Sequence, residues 1–418
     1  MFEPELLAAI RDRFHFADEC PYEGPRAFFE NAGGSLTLKS VVARSTELLA
    51  VPDNQGRANR ASQALGELIE QGRGDMRLFF GARAGVVMVG ETGTELLGRL
   101  IRSAVLATTG DVVGSSLEHP ATFSACRRWA DVAGRSYHQV PFDTDTSLVG
   151  VDSYDEAITT DTSVATIIHA SPVTGMHVDV AAIARRIREV APDCFIIVDG
   201  IQHAAHGRIE VDSYDIDGYV VSGYKMFSRH NYGIAWISDR LAAVPHDQLD
   251  GTPPEAWEQG TRDASAYATF SEVVRYLEWL GAEANPELAG GSRDRIEAAA
   301  DAIRGHEHGL VDALLRGTGG LPGLAKLDPV SVVGPVTSEH RAGMVSFEIA
   351  GIAAADVVEE LRRDGVRTHV RRRDHYSAGI LVPLGIDACV RASICHYNSR
   401  DEVERMLGSV NRMIAERL

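Results

Sequence analysis

A lysine at the end of an apolar run is the residue best placed to do chemistry in this chain. The segment YVVSGYKMF carries Lys225 just beyond Val220 and Val221, beside Ser222 and Tyr224. Lysine is normally solvated and charged. At a strand end next to hydroxyls and a carboxylate its pKa falls, and the free amine becomes a nucleophile for an aldehyde. The preceding run, CFIIVDGIQHAAH, ends on Asp199 with Gln202 three residues further on. Asp199 alone reads as a turn residue or a helix cap. Taken with Lys225 it completes a pair: a carboxylate for a pyridinium nitrogen and a Schiff-base lysine, the two groups that pyridoxal 5′-phosphate requires. In VMVGETGTELLGRL a strand leads into Gly93 and Thr94, which open a helix whose free N–H groups suit a phosphate. His119, in SSLEHPATFSA, follows a strand and precedes a helix, a position from which an imidazole can lie on a planar ring.

A different chemistry is also written here. His203 and His206 stand three apart close to Asp199, a spacing that can ligate zinc in a metal-dependent hydrolase. No third ligand is well placed, and Lys225 would be left unexplained. The five cysteines (Cys20, Cys126, Cys194, Cys389, Cys395) are scattered without a Cys-x-x-Cys, which speaks against both a disulfide framework and a cysteine zinc site.

VDGIQ, SGYK, LEHPA and ENAGG (residues 30–34) together resemble the motifs of the class V aminotransferases, the fold-type I group that includes cysteine desulfurases, selenocysteine lyases and kynureninases. The resemblance runs in the family's order from about Phe28 to Glu404. It is nearest to the cysteine desulfurase-like subgroup through Tyr224, Lys225, Phe227 and His230. It implies that Lys225 binds the cofactor aldehyde and shuttles the Cα proton, that Asp199 pairs with the pyridine nitrogen, that Gln202 bonds the ring hydroxyl, and that His119 stacks on the ring. Gly93, Thr94, Ser222 and Tyr224 would hold the phosphate, and Thr261 of EQGT would reach it from a neighbouring subunit, which implies a homodimer. Arg391 in VRASICHYN matches the family's substrate-carboxylate arginine, whose planar fork makes two parallel bonds. Arg367 would line the same cleft, and Asn31, Ala32 and Gly33 would lie near the substrate's amino end.

Two departures bear on the reaction. A cysteine desulfurase needs an exposed, ionised thiol near the carboxylate-binding loop, and in THVRRRDHYSAG that position is occupied by Arg372. In SPVTG, Pro172 stands where many relatives have Asn, leaving Thr174 to supply a polar contact. The expected activity is therefore amino-group transfer on a small amino acid, with Cβ elimination (C–S lyase-like) or racemisation as alternatives and true cysteine desulfuration behind them. A catalytically idle sulfur-transfer partner is a remote alternative. The run Arg371, Arg372, Arg373 reads either as a solvated loop or as recognition of a second acidic group on the substrate.

Such residues need a scaffold that sets strand ends side by side. Apolar runs at 85–90, 110–116, 136–142, 164–171, 194–200, 219–225 and 233–238 alternate with helix-like stretches. Runs without polar alternation predict strands buried on both faces and joined by helical crossovers. The expectation is an α/β fold: a large domain (26–284) with a helix-covered, mostly parallel seven-stranded sheet, a smaller α+β C-terminal domain (285–418), and an N-terminal helix (1–25) packing with the latter. The loop after 316 reads as irregular until MVSFEIA (344–350). With 418 residues, 44% hydrophobic and 24% charged, the chain can bury a large core. It has no apolar run long enough for a membrane span. A net charge of −18 disfavours nucleic acid as a partner. MFEPELLAAIRDRF lacks an uninterrupted apolar core, so it reads as an amphipathic helix rather than a secretion signal, and the expected location is cytoplasmic.

Overall fold

The computed structural model describes residues 1–261 and 263–417. The central sheet is built from β1 (Val86–Gly90), β2 (Asp111–Ser115), β3 (Tyr137–Val140), β4 (Thr162–Ile168), β5 (Phe195–Asp199), β6 (Gly218–Ser222) and β7 (Gly233–Ile237). Its spatial order is β1-β7-β6-β5-β4-β2-β3. β7 runs antiparallel to both of its neighbours, and the pairings from β6 to β3 are all parallel. Every residue of β5, β6 and β7 is buried, as expected of strands covered on both faces. The run 219–225 does not continue as strand to its end. After Ser222 the chain turns through a short 3₁₀ segment, Gly223–Lys225. Gly223 packs so closely on the Tyr232 ring that a Cβ there would lie 2.4 Å from its Cζ, and that contact swings Lys225 off the sheet.

Helices cover the sheet: α1 (Pro4–Asp12), α2 (Lys39–Leu49), α3 (Arg60–Phe80), α4 (Gly93–Ala107), α5 (Pro120–Ala133), α6 (Val180–Val190), α7 (Ala264–Ala284) and α8 (Ser292–Arg316). One apolar cluster packs α3, α7 and the start of α8 against one face, and a second sets α4 and α5 against the other. α3 and α7 meet at Gly72, where a Cβ would lie 2.6 Å from Tyr267 Cβ, and α7 and α8 meet at Gly281, where it would lie 1.9 Å from the Arg295 carbonyl. Only glycine permits such approaches.

The C-terminal part holds a four-stranded antiparallel sheet of β8 (Val330–Val333), β9 (Met344–Ile349), β10 (His369–Arg372) and β11 (Ala388–Ser393), in the order β8-β9-β11-β10. Helices α9 (Ala354–Arg363) and α10 (Arg400–Arg417) pack on it. β8 lies in the stretch that sequence reads as loop. Residues 27–29, placed by sequence in the larger unit, travel with the smaller one: Ala27–Phe28 pairs in parallel with Val366–Arg367, and Ala27 and Phe29 sit in its apolar cluster. The N-terminal segment follows the seam between the two parts. The Phe2 N–H donates to His306 (3.0 Å), Arg11 donates to the Tyr397 carbonyl (2.6 Å), and Phe14 sits among Phe227, Tyr276, His396 and Tyr397.

Candidate active site

Strands β5 and β6 end beside the start of α4, and their tips enclose a cavity of about 410 Å³. Thr94, His119, Pro172, Asp199, Gln202, Ser222, Tyr224 and Lys225 line it. Ligand sites at the carboxyl ends of parallel strands follow from this topology, because helix N-termini and polar strand tips converge there. Asp199 is 3% exposed. One carboxylate oxygen accepts from the Thr122 hydroxyl (3.1 Å) and the other from the Ile201 N–H (3.1 Å), so the side chain is fixed from both sides.

Lys225 stands across the cavity. Burial pushes its pKa down from 10.5 to about 8, with Arg391 and Arg371 pushing the same way and Asp199 opposing them. The result is an amine free enough to attack a carbonyl carbon near neutral pH. Its loop is held under strain: Phe227 is buried at φ +62°, a conformation costly for a non-glycine residue. The Ser35 hydroxyl accepts from the Phe227 N–H (2.8 Å), and the Ser35 N–H donates to the Tyr224 carbonyl (3.1 Å), tying ENAGG to the lysine turn.

His119 caps α5, its Nδ1 accepting from the Ala121 N–H (3.1 Å), which leaves the ring proton on Nε2. Burial lowers its pKa against the pull of Asp199, so the imidazole is neutral at pH 7. At the start of α4 the Thr92 hydroxyl accepts from the Glu95 N–H (3.0 Å); Gly93 and Thr94 are the first two residues of the helix, and Thr94 lines the cavity. Gly93 is tightly enclosed: a Cβ would lie 2.5 Å from Ile201 Cδ1 and 2.7 Å from Ser222 Oγ. Tyr224, where many relatives have His, stacks on His230 at 4.6 Å.

Other expected residues are placed differently. Thr174 is fully buried, and its hydroxyl accepts from the Met176 N–H (3.2 Å) on the far side of its turn, so Pro172 alone of that segment's pair lines the cavity. Asn31 donates to the Ser393 carbonyl (2.8 Å), and the Ala32 N–H donates to the Ser393 hydroxyl (2.9 Å), which makes both residues fasteners of the loop. Gly33 lies against Arg391, a Cβ there coming 3.8 Å from Nη2. Arg391 is 3% exposed and donates to the Pro172 carbonyl (3.0 Å), while its Nε has no partner. Arg367 is instead held by two carboxylates, Glu30 (2.8 Å) and Glu23 (2.7 Å), and its charge is spent there. Thr261 is exposed on a loop and does not line the cavity of its own chain.

His203 and His206 do not converge on Asp199. His206 binds Glu307 (2.8 Å), and the His203 ring stacks on His169 at 3.5 Å and 15°. The thiols are equally ill placed for sulfur transfer. Burial raises Cys126, Cys194, Cys389 and Cys395, Cys194 and Cys389 to about 12, and Cys20 lies in the short hairpin 19–25. Arg372 is exposed at the end of β10.

Sequence reasoning missed Arg371 as an individual. It treats 371–373 as one run, whereas a strand period of two splits the run, turning His369 and Arg371 to one face of β10 and Arg372 to the other. Arg373 pairs with Asp387 (2.6 Å). The Arg371 charge is felt at Lys225, His119 and Arg391 alike.

A helix-covered sheet with a desolvated lysine facing a fixed carboxylate defines a cofactor-binding α/β enzyme of fold type I. The chain belongs to the aminotransferase class-V family, whose model matches residues 27–406, and members of that family use pyridoxal 5′-phosphate. It is 26% identical to the probable cysteine desulfurase 2 of Mycobacterium leprae, covering 98% of this chain and 97% of that one. A probable cysteine desulfurase of Halobacterium salinarum is 29% identical over 72% of this chain and 69% of its own. Among solved structures, the apo cysteine desulfurase of Thermococcus onnurineus superposes with a TM-score of 0.82 at 23% identity, covering 100% of this chain and 99% of that one. The Escherichia coli cysteine desulfurase CsdA gives a TM-score of 0.78 at 20% identity, with both chains covered in full. No helix among the described residues is long and apolar enough to cross a membrane.

The residues present fit the family's cofactor. Gln202 Oε1 is buried without a partner at the cavity wall, and the Thr94 and Ser222 side chains reach the same cavity from the helix start and the strand end.

Proposed function

We propose that this chain is a pyridoxal 5′-phosphate enzyme that breaks a bond at Cα of a small amino acid, with amino-group transfer as its reaction. The observation that carries this reading is the Lys225 amine, brought to about 8 and facing a doubly anchored Asp199 across one cavity. Asp199 would hold the pyridine nitrogen, Gln202 the ring hydroxyl and His119 the ring face; Gly93, Thr94, Ser222 and Tyr224 would hold the phosphate. When bound, the cofactor supplies an electron sink for the charge left on Cα. Lys225 would hold the cofactor's aldehyde and serve as the base for the Cα proton. Arg391 would hold the α-carboxylate and so fix the substrate's orientation.

The relatives' names point to removal of sulfur from cysteine. With every thiol but Cys20 buried and raised, the second reading for this chain is elimination at Cβ, in which the Cβ–S bond breaks, sulfur leaves as sulfide with that bond's electron pair, and the Cα proton goes to a base, leaving a Cα–Cβ double bond. We also assign the working form to a homodimer in which Thr261 reaches the partner's phosphate, and to the cytoplasm, where five free thiols persist.

The test is direct. Protein loaded with pyridoxal 5′-phosphate should absorb in the visible, and borohydride should fix the label on the peptide containing Lys225. Turnover that requires a keto acid supports transfer, whereas turnover without one, releasing sulfide from cysteine, supports elimination. Lys225→Ala should lower kcat by roughly 10³-fold. A colourless protein with no tagged peptide would refute the assignment.

A further inference from the structure

Two arginines face the candidate site without an acid of their own. Arg391 on β11 lies opposite His369, and Arg371 on β10 lies opposite Cys389. In this register the two arginines are diagonal neighbours on one face of the small sheet, roughly 7–8 Å apart at the backbone. That face borders the cavity without lining it: Arg391 donates to the carbonyl of Pro172, a lining residue, and both arginine charges act on Lys225. Among the described residues neither guanidinium has a carboxylate within 4.0 Å, and each has a buried Nε with no hydrogen-bond partner. The only polar contact of the Arg371 side chain among them is one donation to the Ser377 hydroxyl. Their neighbours show the contrast, since Arg367 and Arg373 are both paired with carboxylates.

Arg391 is buried and Arg371 half-buried, and two guanidinium charges side by side without an anion repel each other. A bidentate fork from Arg391 would already neutralise one α-carboxylate, leaving the Arg371 charge unmatched. Resting on the reading above, we infer that the substrate is an amino acid with two acidic groups, its α-carboxylate held by Arg391 and a side-chain carboxylate by Arg371. Glu30 does not fill the second place, because Arg367 and His369 already hold its two oxygens.

The experiment compares acids with their amide isosteres on the cofactor-loaded protein. Aspartate against asparagine, and glutamate against glutamine, are titrated while the visible absorption of the bound cofactor is followed, giving a dissociation constant for each. At least one acid is expected to bind ten or more times more tightly than its amide. Arg371→Gln should bring that ratio close to one, and Arg371→Lys should restore part of it. Equal binding of acid and amide in the native protein overturns the inference, as does an Arg371→Gln protein that weakens both members of a pair equally, since both arginines would then grip the α-carboxylate. Either result leaves the cofactor assignment standing. Failure of that assignment shows separately, as a protein with no visible band to titrate.

Discussion

Lys225 is an ammonium that the fold makes uncomfortable. Its pKa is about 8 in the folded chain against an ordinary 10.5, so between those values the unfolded chain binds one proton more than the folded one. Stability from this group therefore rises with pH across that window, and below pH 8 the folded state bears the full cost of the buried charge. Lys225→Met, which keeps the length and removes the charge, should stabilise the cofactor-free protein at pH 7 by about 1–3 kcal/mol. The advantage should fade as pH rises from 8 to 10.5. Urea unfolding at several pH values measures it, and a variant less stable than the native chain at pH 7 would contradict the electrostatic account. Single residues also mark where reading by type stops. Lys225, Asp199 and His119 are visible in sequence because each ends an apolar run. Thr174 misleads because a hydroxyl in a turn can face either way, and its own backbone neighbour claims it. The spent charge of Arg367 depends on Glu23 and Glu30, more than three hundred residues away, which no local pattern reveals.

At the level of elements, the cofactor cradle is a helix terminus pressed between two strand ends. Its geometry rests on the absence of side chains at Gly93 and Gly233, where a Cβ on the latter would lie 2.6 Å from the Gly93 N–H nitrogen. Gly93→Ala should leave the helix intact, since alanine favours it, yet raise the dissociation constant for pyridoxal 5′-phosphate at least tenfold. Equilibrium dialysis measures the constant and circular dichroism checks the fold; unchanged affinity would mean that the phosphate sits elsewhere. Most of the strands from β1 to β7 could be read directly, because strands buried on both faces carry near-continuous apolar runs; β3, with exposed His138 and Gln139, is the exception. Helix α3 carries its own signal, with Leu65, Ile69, Gly72, Met76 and Phe79 at helical spacing, which attention to the strands passed over. Strand β8 is only half-buried and four residues long, so its sequence offers little pattern to read.

For the whole molecule, the open question of assembly falls on the loop that carries Thr261. Each chain bears a net charge of −18, so two copies repel at low salt and association must rest on contact surface rather than attraction. Sedimentation should show a species of twice the 45.2 kDa chain mass, and its share should grow as salt is raised from 10 to about 150 mM. A monomer that holds the cofactor as tightly as the family dimer would remove Thr261 from the site. The pairing of residues 27–28 with 366–367 could not be read in sequence, since two-residue pairings leave no periodic trace.

That pairing has a consequence for how the protein is made. Ala27 and Phe28 leave the ribosome early, yet their strand partners, Val366 and Arg367, and the Ser393 carbonyl that receives Asn31 are translated among the last residues. The nascent chain can close its central sheet well before then. Its leading segment must wait, unpaired, until translation has reached the last eighth of the chain. The Arg371 and Arg391 side of the site is thus completed last, after the Lys225 turn has been translated.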